Sequence, residues 1–374
     1  MKITAIESIL LKIPYESGGP KWETAGQVWT TMDILLVRVD TDDGVTGWGE
    51  AFGHSVCLGT KATLDSMVAP LFIGRDPTDV AGLMRETAQR THIFGRNGSV
   101  QYALSGIDIA LWDIAGKRAG LPIYQLLGGS RRSELNAYAS FLRYTDPKLV
   151  AENAARAVER GYRAIKLHEI DVPQVAAARE AIGPDIALMM DVNCPWTVDE
   201  SLEMVRRLAP YDLYWLEEPV WPPEDHEGLA RVRLAAAASG IRVSAGENAA
   251  GLHGFRRLFA AGAIDIAQPS VTKIGGITEM RKIIALAEAH AVRLIPHCAY
   301  FGPGLLASLH LAASLPGPAA PFERLYVDLE ASPLAPWTEA MNGKMRVPQG
   351  PGLGCDPDPE IVERYRVDLS TRRP

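Results

Sequence analysis

The stretch AIKLHEI (164–170), followed at intervals by MMDVN (189–193), WLEEP (215–219) and SAGEN (244–248), decides how this chain folds. Each run is short, mostly apolar, and ends in a polar cluster, the pattern of a buried strand meeting a loop. Ala-, Arg- and Glu-rich segments with helical spacing lie between them. The alternation predicts strands over 135–141, 162–168, 186–191, 213–217, 241–246, 264–268, 292–297 and 322–327. Helices are expected over 147–160, 173–181, 198–208, 227–239, 252–262, 277–290 and 303–314. Repeated strand–helix units imply a parallel sheet, and eight strands within roughly 200 residues fit a closed α/β barrel better than an open sheet.

Upstream the rhythm differs. Residues 1–13 and 32–40 (MDILLVRVD) read as strands. The run TDDGVTGWGE (41–50) reads as a turn with a short returning strand, because Asp-Asp-Gly favours a reversal. The Gly- and Trp-containing run 15–31 is expected to be a loop, and helices are expected near 60–72, 76–91 and 99–119. In the last of these Ala103, Ile107, Ala110, Leu111 and Ile114 recur at helical spacing, and Gly120 and Pro122 end the helix. This makes an α+β unit over 1–125 ahead of a barrel over 126–330. The Pro/Gly-rich tail, 331–374, carries no barrel unit and is expected to return to the N-terminal unit.

Composition narrows the partners. Of 374 residues, 47% are hydrophobic and 22% charged, a balance that can fill a large core. The net charge is −7 and no basic run could follow a phosphate backbone, which argues against nucleic acid. Cys57, Cys194, Cys298 and Cys355 are far apart and form no CxxC pair, so reduced thiols in a cytoplasmic protein are expected. The N-terminal run lacks a signal-peptide layout, and no segment approaches the roughly 20 apolar residues of a membrane span.

In a parallel barrel, side chains at the C-terminal ends of strands face the working rim. Three consecutive predicted strands deliver carboxylates there: Asp191 from MMDVN, Glu217 and Glu218 from WLEEP, and Glu247 from SAGEN. Single acids at strand ends are commonly helix caps. Acids at matching positions on successive strands would instead repel one another, and a hard divalent cation such as Mg²⁺ relieves that. On the second strand Lys166 and His168 are two apart and share a face. Beside a metal such groups can be held able to accept a proton at neutral pH, although a lysine–carboxylate pair that only closes the barrel would look the same in sequence. His297 ends the seventh predicted strand, across the barrel, and Glu323 on the eighth can reach the same rim. There the crowd of acids should favour a protonated Glu323 that hydrogen-bonds a substrate carboxylate. Together these groups suit removal of a proton α to a carboxylate, because that step creates an enediolate whose charge must be stabilised.

The residues resemble those of the mandelate racemase-like branch of the enolase superfamily. The resemblance spans nearly the whole chain and is carried by GWGE (47–50), ALSGIDIALWDIAGK (103–117), KLH (166–168), MDVN (190–193), LEEP (216–219), GEN (246–248), QPSVTKIGGIT (268–278), PH (296–297), ERL (323–325) and PGLG (351–354). It implies a modified (β/α)₇β TIM barrel with an N-terminal α+β capping domain that the C-terminal residues complete. It also implies Mg²⁺ on Asp191, Glu217 and Glu247, Asn193 near the metal, loops around 15–31 and 50–60 over the pocket, and a symmetric homo-oligomer such as an octamer. Two positions depart from the branch. His168 stands where a second lysine is usual, and Ser270 stands where an aspartate usually partners the seventh-strand histidine. Without that carboxylate, His297 should be a weaker base, oriented at most by the Ser270 hydroxyl.

The resulting expectation is that His168, helped by Lys166, abstracts the α-proton, and that His297 acts chiefly as an acid. Protonation of a leaving β-hydroxyl gives a hydroxy- or sugar-acid dehydratase; delivery to the opposite face gives a racemase or epimerase. Loss of the partner carboxylate hurts a reversible two-base reaction more, which favours dehydration. A carboxylate-binding barrel without catalysis is the rival from another class. A cycloisomerase of the type that carries lysine at the Ser270 position is disfavoured. Lys21 and Trp22 in the first loop, with Asn193 and Ser270, are the candidate substrate contacts, while Lys273 is expected to point elsewhere by strand alternation.

Overall fold

The computed structural model describes residues 1–24, 26–129 and 132–368. Positions 369–374 of the expected tail, and position 25 of the expected loop, lie outside the described residues. Strands Glu134–Ser140, Ala164–Leu167, Ala187–Asp191, Leu213–Glu217, Arg242–Ala245, Ile266–Ala267 and Arg293–Leu294 lie side by side in chain order and run parallel. The eighth, Phe322–Leu325, returns to pair in parallel with the first. The described ladder leaves a seam between the seventh and eighth strands, and there the Cys298 N–H donates to the Glu323 carboxylate at 2.7 Å.

Strand periodicity sorts the barrel side chains into two environments. Ile165, Leu167, Leu188, Met190, Leu216 and Val243 point outward and are fully buried against apolar residues of the surrounding helices, among them Val175, Ala178, Val205 and Val232. The intervening residues point in. Tyr138, Ala164, Met189, Trp215, Ile266 and Ile295 cluster as an apolar plug, and two residues further along their strands stand Lys166, Asp191 and Glu217. The charged rim thus rests on a packed floor. The helices start on local signals. Asp146 accepts from Lys148 N at 2.8 Å with Pro147 in the first turn, and Thr197 with Glu200 forms a reciprocal capping box ahead of Val198–Leu208.

The N-terminal unit is an antiparallel sheet of Ile3–Glu16, Thr31–Thr41 and Thr46–Ala51 packed on the helix Ser99–Ala119. Sheet and helix approach too closely for side chains at the contact: a Cβ on Gly49 would lie 1.9 Å from the Gly106 carbonyl oxygen. That contact accounts for glycines within both GWGE and ALSG. Asp113 joins three segments. Its buried carboxylate accepts from Trp48 N at 2.9 Å and Leu353 N at 2.8 Å, and it pairs with Lys117 at 2.8 Å. The tail makes more than the expected return. Leu11 bridges to Arg366 in the N-terminal sheet, but Lys344–Arg346 also adds an antiparallel strand to the first barrel strand. Among the described residues no helix is long and apolar enough to cross a membrane, and all four cysteines are free.

Removing the Asp113 carboxylate strands two buried N–H donors and takes one of two carboxylates from Lys117, which keeps Asp356. Asp113→Ala should lower the unfolding free energy by about 3 kcal/mol, read from the urea midpoint; a loss below about 1 kcal/mol would contradict this account of the joint.

Candidate active site

The rim gathers most of the residues singled out above. Lys166 lies at its centre, fully buried, with Nζ 3.2 Å from Asp191 Oδ2, 3.2 Å from Glu217 Oε1 and 2.8 Å from Glu323 Oε1. Burial by itself would lower its pKa, but Glu217, Glu323 and Asp191 together hold it well above the ordinary 10.5. Lys166 is thus an ammonium paired with three carboxylates, the ion-pair alternative that the sequence also leaves open. The same pairing corrects Glu323. Burial raises its carboxyl, yet Lys166 and His297 outweigh that and keep it below 4.5. Glu323 is thus an ionised acceptor held by Lys166 and the Cys298 amide.

The other acids divide between two poles. Burial works against ionised Asp191, but Lys166 and His168 hold its pKa below the ordinary value; its oxygens meet His168 Nε2 at 3.1 Å and Asn193 Nδ2 at 3.0 Å. Glu247 is likewise held well below its ordinary value by Lys273 and His297, against burial, with His297 Nε2 at 2.7 Å. Between them, burial and neighbouring acids push Glu217 well up and Glu218 to about 8. Glu217 accepts from Gln268 at 2.8 Å and from Trp215 at 3.0 Å, and Glu218 accepts from Asn248 at 3.0 Å. Asn193, Cys194 and Glu218 hold left-handed φ angles of 54°, 55° and 46° at this rim, so backbone strain concentrates at the strand ends.

The two histidines differ in the partner of the ring nitrogen that faces away from these acids. His168 Nδ1 donates to the Phe141 carbonyl, which can only accept. His297 Nδ1 faces the Tyr300 hydroxyl at 3.4 Å, which can accept or donate. The Tyr300 hydroxyl in turn hydrogen-bonds Ser270, which is fully buried behind it.

A cavity of about 140 Å³ opens over this cluster. His168, Asn193, Glu247, Lys273 and His297 supply its polar wall. Trp22, Trp29, Phe52, Leu142, Ala299 and Leu325 supply the apolar wall, together with His54. Trp22 stands edge-on to His168 at 5.6 Å, and Trp29 stacks on His54 at 4.8 Å. Burial brings the His54 imidazole down to about 4, and its Nε2 lies 3.2 Å from the Ala299 carbonyl. Of the expected substrate contacts, Trp22 and Asn193 line the cavity. Lys21 instead binds the Tyr15 carbonyl and Glu16, and Ser270 stands behind Tyr300. Lys273 overturns its expectation. The sixth strand ends at Ala267, so alternation does not extend to 273, and the following turn brings Nζ 3.0 Å from Asn248 Oδ1 and 3.5 Å from Glu247 Oε1. Tyr300 and His54 carry no strand-end signal and were legible only as residues near PH and GWGE. A larger cleft of about 820 Å³ between the cap helices and the barrel is lined by Arg85, His92, Arg96, His253 and Lys282 with the single acid Glu279, and none of the strand-end carboxylates reaches it.

Among the described residues no group of three or more His, Cys, Asp and Glu side chains already surrounds a common point; the acid oxygens turn to Lys166, Lys273 and the histidines. The donor set nevertheless fits a divalent ion. Asp191, Glu217, Glu218, Glu247 and Glu323 are buried or nearly so, with Lys166 and Lys273 as the lysines among them, which leaves a surplus of negative charge. A hard cation with carboxylate ligands neutralises such a surplus.

A strand-end cluster of this kind, on a parallel barrel beneath an α+β cap, defines a barrel enzyme that works on a small ligand. Residues 149–361 match the enolase C-terminal domain-like family, and residues 16–128 match the mandelate racemase / muconate lactonizing enzyme N-terminal domain. The chain belongs to the enolase superfamily, in its mandelate racemase / muconate lactonizing enzyme group. It is 36% identical to D-galactarolactone cycloisomerase of Agrobacterium fabrum, over 98% of this chain and 99% of that protein. It is 33% identical to arabinonate dehydratase of Saccharolobus solfataricus, over 90% of this chain and 91% of that protein. A racemase from Streptomyces coelicolor A3(2), solved with bound magnesium, superposes with a TM-score of 0.84 at 29% identity, covering 98% of this chain and 100% of that one. Because a relative this similar is named a cycloisomerase, Ser270 alone does not exclude that reaction class.

Lys166 neutralises carboxylates that no solvent reaches. Lys166→Met should cost about 3 kcal/mol or more in metal-free buffer, measured by denaturant unfolding; a change under about 1 kcal/mol would show that the acids do not depend on it.

Proposed function

We propose that the chain removes the proton α to the carboxylate of a sugar acid or related hydroxy acid and then expels the β-oxygen, most simply as water from an acid-sugar dehydratase. The observation that carries this reading is the unlike wiring of the two histidines. His168 gives its Nδ1–H to the Phe141 carbonyl, which fixes the proton there; when Asp191, 3.1 Å from Nε2, turns to a cation instead, Nε2 would offer its lone pair to the cavity as a base. His297 has the Tyr300 hydroxyl at Nδ1, which can donate to that nitrogen and so leaves the ring proton on Nε2, beside Glu247: the arrangement of a donor.

His168 Nε2 takes the α-proton, and the C–H electron pair becomes the new double bond of an enediolate. That bond then pushes out the β-substituent. The C–O pair leaves with oxygen, which collects the Nε2 proton of His297 and departs as water, and the enol product becomes a 2-keto acid. Lys166, as an ammonium among these acids, would lower the cost of the developing charge. Asp191, Glu217 and Glu247 are the residues that would hold Mg²⁺, which when bound would act as a Lewis acid toward the substrate carboxylate. Trp22 and Trp29 cover the cavity and limit water. The relatives named dehydratases support this chemistry.

The similarity to D-galactarolactone cycloisomerase favours one second reading. If the departing oxygen is tethered to the substrate skeleton, the same proton abstraction and β-elimination release no water, and the product is an isomer. Racemisation is less favoured, because the group behind His297 at Nδ1 is a phenol and not a carboxylate.

A panel of aldonic, aldaric and lactonised acids with Mg²⁺, followed for keto-acid formation and for α-deuterium uptake in D₂O, tests the reading. An active acid should exchange and eliminate, and His168→Ala should lose both by roughly 100-fold or more. Full turnover by His168→Ala would remove it from the mechanism. Mg²⁺ should also raise the thermal midpoint, by about 2.7 kcal/mol of stabilisation at 100 times its dissociation constant. Glu247→Gln should lose most of that rise; an undiminished rise would place the ion elsewhere.

A further inference from the structure

We infer that Tyr300 is the positioning residue for His297, and that it governs expulsion of the β-oxygen without governing removal of the α-proton. The inference rests on the acid role proposed for His297. In the sequence, position 270 is a serine, and Ser270 was the side chain expected to orient the histidine. The structure instead interposes a phenol. Tyr300 is 3% exposed and lies in the segment after the seventh strand; its hydroxyl contacts Ser270 Oγ on one side and faces His297 Nδ1 at 3.4 Å on the other. Its ring stands edge-on to the imidazole, 5.9 Å between centroids and 78° between planes, which limits how far the imidazole can swing. Phe52, from the cap, packs edge-on against the other flank of Tyr300 at 6.4 Å. Burial holds the phenol well above its ordinary 10.0, so it remains a neutral O–H.

The consequence is geometric. A histidine ring has two rotational settings that exchange its nitrogens with carbons, and a hydrogen-bonding partner at Nδ1 selects the setting with Nε2 toward Glu247 and the cavity. Ser270 has no route of its own to the ring; through Tyr300 it fixes where the hydroxyl sits. His168 lies at the other pole, on Asp191 and the Phe141 carbonyl, and shares none of these contacts. The two halves of the reaction are therefore separable by substitution at Tyr300.

The test uses the full-length enzyme with Mg²⁺ in D₂O and an acid that the wild type turns over, with α-deuterium uptake into recovered substrate and product formation measured together. For Tyr300→Phe, product formation should fall roughly 10- to 100-fold while α-exchange and KM stay within about threefold, so that exchange comes to exceed elimination. Ser270→Ala should shift the partition the same way by a smaller factor, and it carries the test if Tyr300→Phe does not fold. His297→Ala sets the limit: exchange with elimination lost. In ¹⁵N-histidine-labelled protein, Tyr300→Phe should move the His297 Nδ1 resonance and leave His168 in place. Equal loss of exchange and elimination in Tyr300→Phe, or no change in either, would overturn the inference. A wild type that exchanges no α-proton on any acid would instead overturn the proposed function beneath it.

Discussion

One buried ammonium organises this molecule. Lys166 meets Asp191, Glu217 and Glu323 within 3.2 Å, at the centre of a barrel where no solvent screens them. Removing any of these charges from water is costly, and only mutual attraction at close range repays it. Short parallel strands are what bring them together. Each strand places one polar side chain two residues beyond an apolar one, so charges collect at one face above the floor of Met189, Trp215 and their neighbours. Glu323 adds the eighth strand to the set and, through the Cys298 amide, ties the one seam where the described strand ladder is open.

The remaining features of the site follow from how that charge is shared. Asp191 and Glu247 stand at opposite poles, each with a histidine, and each histidine is held from behind by a different kind of group. The carbonyl behind His168 can only accept, whereas the hydroxyl behind His297 can accept or donate, so two residues of one type stand in different surroundings. The cap contributes the lid side: Trp22, Trp29, Phe52 and His54 reach over the cavity from segments whose own packing depends on the glycine contact between sheet and helix and on Asp113.

Barrel, cap and metal-ligand candidates could be read from the chain because they rest on local periodicity. Strand ends such as MMDVN and WLEEP announce themselves through alternation alone. The orientation of individual polar groups could not be read this way. Lys273 was assigned by strand parity, yet the sixth strand spans only Ile266–Ala267 and the turn after it swings the lysine inward. Lys166 and Glu323 stand on strands far apart in sequence, and no local pattern marks the 2.8 Å pairing between them. Tyr300 and His54 lie in irregular segments, where contacts formed across long sequence separations decide position and no period marks the residue.

A crystal structure of the enzyme with Mg²⁺ and a slowly reacting sugar acid tests the central claim most directly. One ion should be ligated by Asp191, Glu217 and Glu247, with His168 Nε2 and His297 Nε2 on opposite faces of the ligand's α- and β-carbons and Lys166 still among its acids. An ion bound away from those three carboxylates, or both imidazoles on one face of the ligand, would contradict it.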